Sequence, residues 1–308
     1  MSLAPIVLFV YNRIDHTKST ISALANNELA QQSDLYIFSD AAKYEKDTGK
    51  VIEVRNYIKS IDGFNSIKII EREINLGLAK SIIDGVTEVI DKYGKVIVLE
   101  DDIVTSPYFL KFMNSALDTY LYSQEVWHIS GWNYPVALNK EKDVYFWRVM
   151  NCWGWATWKN RWDAFRKDPE RIISDWSDQQ KYDFDLEGTS AFWPQIIDNK
   201  LGKINTWAVF WYATIFEADG LCLNPAISYV DNIGRDGSGV NCGNSTDSII
   251  KAKNPILNST YKINWDFCFR EDEDFVLAVK KYYKSRRKNI FYRIVNKISR
   301  ILTGKNFI

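Results

Sequence analysis

The chain has 308 residues, 46% of them hydrophobic and 25% charged, with 39 basic against 39 acidic side chains. This composition excludes a disordered or fibrous chain, and the length allows one large α/β domain. Four widely spaced cysteines (Cys152, Cys222, Cys242, Cys268) and two histidines (His16, His128) argue against a zinc site or a serine-histidine triad, and fit reduced thiols in a cytoplasmic protein.

Taken in order, the first hundred residues alternate strand-like and helix-like segments. The apolar run Ile6–Val10 predicts a first strand. The stretch Ala4–Val10 is too short for a secretory segment and leads directly into Tyr11-Asn12-Arg13. Helical spacing follows over 15–29. A second strand over 35–38 ends in Ser39-Asp40, and a second helix covers 47–61. A third strand is predicted over 67–70, a third helix over 78–93, and a fourth strand over 96–99 that runs into Glu100-Asp101-Asp102. Short β-branched runs separated by helices imply a buried, mostly parallel sheet. Ligands of such sheets bind beyond the carboxyl ends of the strands, where Arg13, Asp40 and the acidic triplet all fall.

Further along, Pro107 is expected to open a helix reaching Tyr122, Val126–Ser130 to form a strand, and 207–218 a helix. The segment Asn151–Trp158 is dense in indoles, and Asn232–Gly239 is rich in glycine, as flexible lids often are. The spacing of Trp153, Trp155 and Trp158 does not fit one helix face, so at least one is expected at a cleft. From Lys280 to Ile308 there are ten basic residues and no acid, leaving 29 basic against 39 acidic side chains in the first 279. Such a body is a poor nucleic-acid binder. In the tail, Ile290, Phe291, Ile294, Val295, Ile298, Ile301 and Leu302 recur at helical spacing opposite the basic residues. This is the pattern of a helix lying on an anionic membrane surface, and residues 284–308 are expected to make that peripheral contact. No run of eighteen apolar residues exists, so no segment is expected to span a bilayer.

Three consecutive acids at a strand end repel one another unless a cation neutralises them. Carboxylate oxygens select Mg2+ or Mn2+, and such an ion stabilises the charge that builds on a departing diphosphate. Alternation along the strand's end sends Glu100 and Asp102 to one face and Asp101 to the other, so not all three can be ligands, and Asp102 is the expected direct ligand.

The string Val98-Leu99-Glu100-Asp101-Asp102-Ile103 followed by Ser106-Pro107-Tyr108-Phe109 resembles GT-A fold glycosyltransferases. The likeness is to the N-acetylglucosaminyltransferase I type and to related bacterial family 2-like sugar transferases. Tyr11-Asn12-Arg13, Ser39-Asp40, Val126–Asn133 and Trp153-Gly154-Trp155 stand around that string in the family's order, over residues 5 to 245. The resemblance implies one catalytic domain over 1–265, with a nucleotide-binding half (1–105) and an acceptor half (106–265), followed by the tail over 266–308. It implies a nucleotide-sugar donor, a UDP-sugar foremost, and a glycan or lipid-linked acceptor. Donor contacts would come from Arg13, Asp40, Lys80, Glu100 and Asp101, and metal coordination from Asp102. The hexosyl or N-acetylhexosaminyl class and a role in bacterial surface polysaccharide synthesis, at the inner face of the cell membrane, follow from the same likeness.

The pattern departs where inverting members carry an aspartate base after a helix-opening tryptophan. Here Ala208 follows Trp207, and Asp236-Gly237-Ser238-Gly239 is followed by Val240-Asn241 without the histidine of bacterial relatives. Asp236, with Glu217 behind it, is the remaining candidate base, and a retaining mechanism is open. A sugar nucleotidyltransferase is an alternative, although the glycine- and arginine-rich loop of that class is missing after the first strand. A catalytically impaired sugar-binding or scaffold protein is another.

Overall fold

A computed structural model describes residues 2–138, 142–234 and 262–285. The expected alternation is present: β1 (Ile6–Val10), α1 (Ile14–Ala25), β2 (Asp34–Ser39), α2 (Thr48–Ile58), β3 (Ser66–Glu71), α3 (Gly77–Tyr93) and β4 (Lys95–Glu100). There follow β5 (Ile103–Thr105), α4 (Phe109–Thr119), β6 (Val126–Ser130), β7 (Val144–Trp147), β8 (Trp155–Trp158), α5 (Lys159–Trp162), α6 (Pro169–Asp175), α7 (Asp178–Phe184), α8 (Phe192–Lys200), α9 (Ala208–Glu217), β9 (Leu221–Pro225) and β10 (Val230–Asn232). A further helix covers 273–285.

Eight strands form one sheet in the order β3-β2-β1-β4-β8-β6-β9-β7, and β10 pairs with β5 in a separate ribbon. β1, β2, β3 and β4 are mutually parallel. β8 opposes both β4 and β6, β9 runs parallel to β6, and β7 opposes β9. The sheet is therefore mostly parallel, with two reversed strands, in an α/β fold. Every residue of β1 is buried, as is the run Val96–Leu99 of β4. Both faces of these strands are covered, which is why they read as continuous apolar runs.

The described residues divide into two compact units, the first comprising 2–135, 142–167, 205–234 and 262–271, the second 136–138, 168–204 and 272–285. The sheet and the acidic triplet belong to the first. In the second, Asp168 caps α6 by accepting the Arg171 N–H, a Ser177–Gln180 capping box opens α7, and Trp176 packs on Phe184 and Trp193.

Two local expectations change. The helix after Pro107 begins at Phe109, because Pro107 lies in a turn whose carbonyl accepts the Glu28 N–H at 2.8 Å. The indole-rich segment contains a strand, β8, which pairs Trp155 with both Val98 and Ser130. Among the described residues no helix is long and apolar enough to cross a membrane.

Candidate functional site

The order of the first four strands creates the site. From β1 the chain steps outward to β2 and β3, then returns to place β4 on the other side of β1. Connections therefore diverge between β1 and β4, and the crevice beyond their carboxyl ends is where open α/β sheets bind ligands. Arg13 follows β1 there, and Asp101 and Asp102 follow β4.

These three residues meet. Arg13 Nη2 donates to Asp101 Oδ1 and, at 2.9 Å, to Asp102 Oδ2, while Nε donates to Asp101 Oδ2 at 3.3 Å. Burial alone would disfavour the guanidinium charge, but Asp101 and then Asp102 more than offset it, so the arginine is held firmly protonated. Burial pushes the Asp101 carboxyl up, and Arg13 pulls it back. Glu100 is pushed up to about 8, first by burial and then by Asp102 and Asp101, toward its protonated form. The repulsion expected of three successive acids is thus relieved by an internal arginine and by the upward shift of Glu100.

The predicted split of Asp101 and Asp102 onto opposite faces is corrected here. β4 ends at Glu100 and residues 101–102 form a turn, so strand alternation no longer applies. The turn is held from behind by Thr20, whose hydroxyl donates to the Asp101 carbonyl at 2.8 Å. That contact was not foreseen, although Thr17, Thr20, Ile21 and Leu24 form the buried stripe of α1.

A third wall was also missed. β10 pairs antiparallel with β5, setting Asn232 opposite Ile103. The Ile233 N–H then donates to the Asp102 carbonyl at 2.9 Å, and the Gly234 N–H to Asn232 Oδ1 at 2.9 Å. Gly234 lies so close that a Cβ there would collide with Asp102 Oδ2 and sit 3.1 Å from Arg13 Nη1. The glycine-rich composition of 232–239 was a visible signal, but its target required the β5–β10 pairing. The same Arg13 Nη1 is buried and, among the described residues, without a hydrogen-bond partner.

Other expected site residues are placed differently. Asp40 follows β2, where Oδ1 accepts the Ala41 and Leu76 N–H groups and Oδ2 the Gly77 N–H, all within 3.0 Å. It fixes the start of α3. Lys80 lies in the first turn of α3, exposed, with Nζ 2.8 Å from Asp84 Oδ2. Glu217 is exposed at the end of α9, four residues before β9 begins. Since β9 runs in the same sense as β4, Glu217 stands at the amino edge of the sheet, and the structure does not bring it to the acidic turn. Asp236 lies outside the described residues.

The indoles divide by depth. Trp155 and Trp158 are each 1% exposed. Trp155 stacks between His128 and Trp207, and Trp158 donates to the Leu117 carbonyl. Trp153 is half-buried beside Trp132, just past the carboxyl end of β6.

Among the described residues no three acids, histidines or cysteines gather as a metal cage. What the turn does fit is a cation shared with a ligand. Asp102 spends one oxygen on Arg13, Oδ1 accepts no hydrogen bond from a described residue, and the guanidinium is a stand-in positive charge. Magnesium-type ions held by one or two carboxylates and completed by substrate phosphates need no more.

No family model and no curated protein matches the chain. Among solved structures, part of the fold overlaps the mannosyltransferase PcManGT from Pyrobaculum calidifontis in complex with GDP-Man and Mn2+. The overlap has 10% identity and a TM-score of 0.34, over 51% of this chain and 45% of that one. TarS 1–349 from S. aureus in complex with UDP-GlcNAc overlaps with 13% identity and a TM-score of 0.32, over 45% and 39%. The chain thus spans less than half the length of either structure.

Proposed function

We propose that this chain is a GT-A-type glycosyltransferase, moving a sugar from a nucleotide-sugar donor, a UDP-sugar foremost, to a glycan or lipid-linked acceptor. The observation that carries the reading is the Arg13–Asp101–Asp102 cluster beyond the carboxyl ends of β1 and β4, with Arg13 Nη1 buried and without a hydrogen-bond partner among the described residues. A buried guanidinium N–H without an acceptor costs about 1–3 kcal/mol, and a diphosphate oxygen is the acceptor that Arg chemistry matches best.

Asp102 is the proposed ligand for Mn2+ or Mg2+, which when bound neutralises the leaving diphosphate. Arg13 binds and orients that diphosphate, and the Gly234 backbone walls the carboxylate from the other side. Asp40 acts by holding the entry of α3, Asp101 by orienting Arg13, and Lys80 lies on the rim of the same edge. Asp236 is the proposed acceptor base. The wider setting belongs to the same proposal: hexosyl or N-acetylhexosaminyl transfer in bacterial surface polysaccharide synthesis, on the cytoplasmic face of the membrane, with residues 284–308 as the membrane contact.

The test is a thermal-shift titration with UDP, GDP and Mn2+. A bound ligand at 100 times its Kd stabilises by about 2.7 kcal/mol, which moves the midpoint by several degrees. The wild type is expected to show a shift that needs both nucleotide and metal, and Asp102→Ala to lose the metal-dependent part while staying folded. An undiminished shift in Asp102→Ala refutes the assignment. A second reading, a sugar-nucleotide-binding protein without turnover, is favoured by Ala208 after Trp207 and by Glu217's place at the far edge. Metal-dependent hydrolysis of a nucleotide sugar separates the two, since a pure binder shows none.

A further inference from the structure

The three contacts of Arg13 are unevenly shared. Asp101 receives two donors, Nε and Nη2, one into each carboxylate oxygen, whereas Asp102 receives only Nη2. The pair with Asp101 is the fork-on-carboxylate arrangement that fixes an arginine in place. The contact with Asp102 is single, and Nη1 has no hydrogen-bond partner among the described residues.

Charge adds a second constraint. The two carboxylates of the turn share a single guanidinium. A divalent ion arriving alone at Asp102 would meet a guanidinium 2.9 Å from that carboxylate, and like charges at such separations repel strongly away from bulk water. A nucleoside diphosphate removes the conflict because it supplies oxygens for the metal and for the arginine together.

From this geometry we infer that Arg13 is an exchangeable internal counter-ion. In the donor-free protein it occupies the cation's place at Asp102. When a divalent ion enters with a diphosphate, Arg13 keeps its fork on Asp101, releases Asp102 to the metal, and turns Nη1 and the freed Nη2 bond to the phosphate. Metal and nucleotide binding are thereby coupled, each raising the affinity for the other by the same factor. Metal alone is held off. The inference rests on the donor-site reading for the identity of the anion, and on the Arg13 contacts alone for the competition at Asp102.

The experiment measures Mn2+ binding to the full chain from the free-ion electron paramagnetic resonance signal, with and without UDP or GDP, in the wild type, Arg13→Met and Arg13→Lys. The wild type is expected to bind Mn2+ weakly alone and at least tenfold more tightly with a nucleoside diphosphate. Arg13→Met, which removes the competing charge, is expected to bind Mn2+ alone at least tenfold more tightly than the wild type, with less than threefold further gain from nucleotide. Adding Asp102→Ala should remove the site. Arg13→Lys keeps a positive charge beside the buried acids but has no fork. It is expected to bind Mn2+ at least threefold more tightly than the wild type, and decides the matter alone if the methionine variant does not fold.

Mn2+ affinity in these variants equal to or below that of the wild type overturns the inference. If the variants bind Mn2+ more tightly but no nucleotide affects any of the proteins, the competition at Asp102 stands and the donor reading falls. If nucleotide binds the wild type while the variants gain no metal affinity, the donor reading stands and the counter-ion role falls.

Discussion

His128 on β6 sits between two partners of fixed role. Trp211 Nε1, which can only donate, points at Nδ1 from 3.2 Å, and the Asn151 carbonyl, which can only accept, lies 3.1 Å from Nε2. The ring must therefore be neutral with its proton on Nε2. Burial lowers its pKa from 6.5 to about 3, with the Asn151 contact opposing. The unfolded chain takes up this proton below pH 6.5 and the folded chain does not. The stability that neutral His128 contributes is thus complete above 6.5 and is lost as pH falls toward 3, by at most about 1.4 kcal/mol per pH unit. Glu100 has the opposite sign: its pKa is raised to about 8, so its contribution is lost as pH rises from its ordinary range through 8. His128→Gln can keep both hydrogen bonds without a titrating ring. Urea midpoints between pH 7 and 4 should fall less steeply for the variant than for the wild type, the Glu100 slope cancelling in the comparison. Parallel profiles would exclude this role. At this scale the sequence marked Arg13, Asp101 and Asp102 correctly as residues of one sheet edge. It did not show that one guanidinium spans both carboxylates, because that depends on where β4 stops and the turn begins.

Among the elements, α3 packs on β1 and β4, and Gly85 faces that contact. A Cβ at 85 would come within 2.8 Å of the Phe9 ring and 3.2 Å of Phe38, which stack on each other with centroids 5.4 Å apart. Gly49 in α2 has nothing within 4 Å of the same position. Both are helical glycines, so alanine gains about 1 kcal/mol of helix propensity at either site. At 85 the overpacking cost of about 1–3 kcal/mol exceeds that gain. Chemical denaturation should find Gly85→Ala less stable than the wild type by about 1 kcal/mol, and Gly49→Ala more stable by up to about 1 kcal/mol. Equal effects at the two sites would mean that α3 is not seated by Gly85. Elements with a local signature were legible. β1 to β4 and α1 to α3 follow apolar runs and helical spacing, and their observed ends fall within a few residues of the expected ones. β5, β8 and β10 were not legible, since three or four residues are too few for a pattern and each exists through a distant partner, such as Asn232 on Ile103.

For the molecule as a whole, the remaining prediction concerns the basic end of the chain, of which 286–308 lie outside the described residues. Each apolar residue of the 290–302 stripe gains about 1.5–3 kcal/mol on full burial, and each basic residue near an anionic surface about 1 kcal/mol. Removing Lys284–Ile308 should leave a protein that still binds nucleotide but no longer co-sediments with vesicles containing phosphatidylserine, and undiminished sedimentation would refute the contact. By itself the sequence determined the parallel half of the sheet, the edge at which its chemistry gathers, and the residues that carry charge there. Those follow from apolar periodicity and strand direction, which are local and repeat along the chain. Only the tertiary structure decided that Arg13 bridges both aspartates, that Asp40 caps α3, that Gly234 closes on Asp102, and that Glu217 stands at the opposite edge. Each of these depends on chain segments far apart in sequence being packed at contact distance, where burial and neighbouring charge, rather than residue type, set what a side chain does.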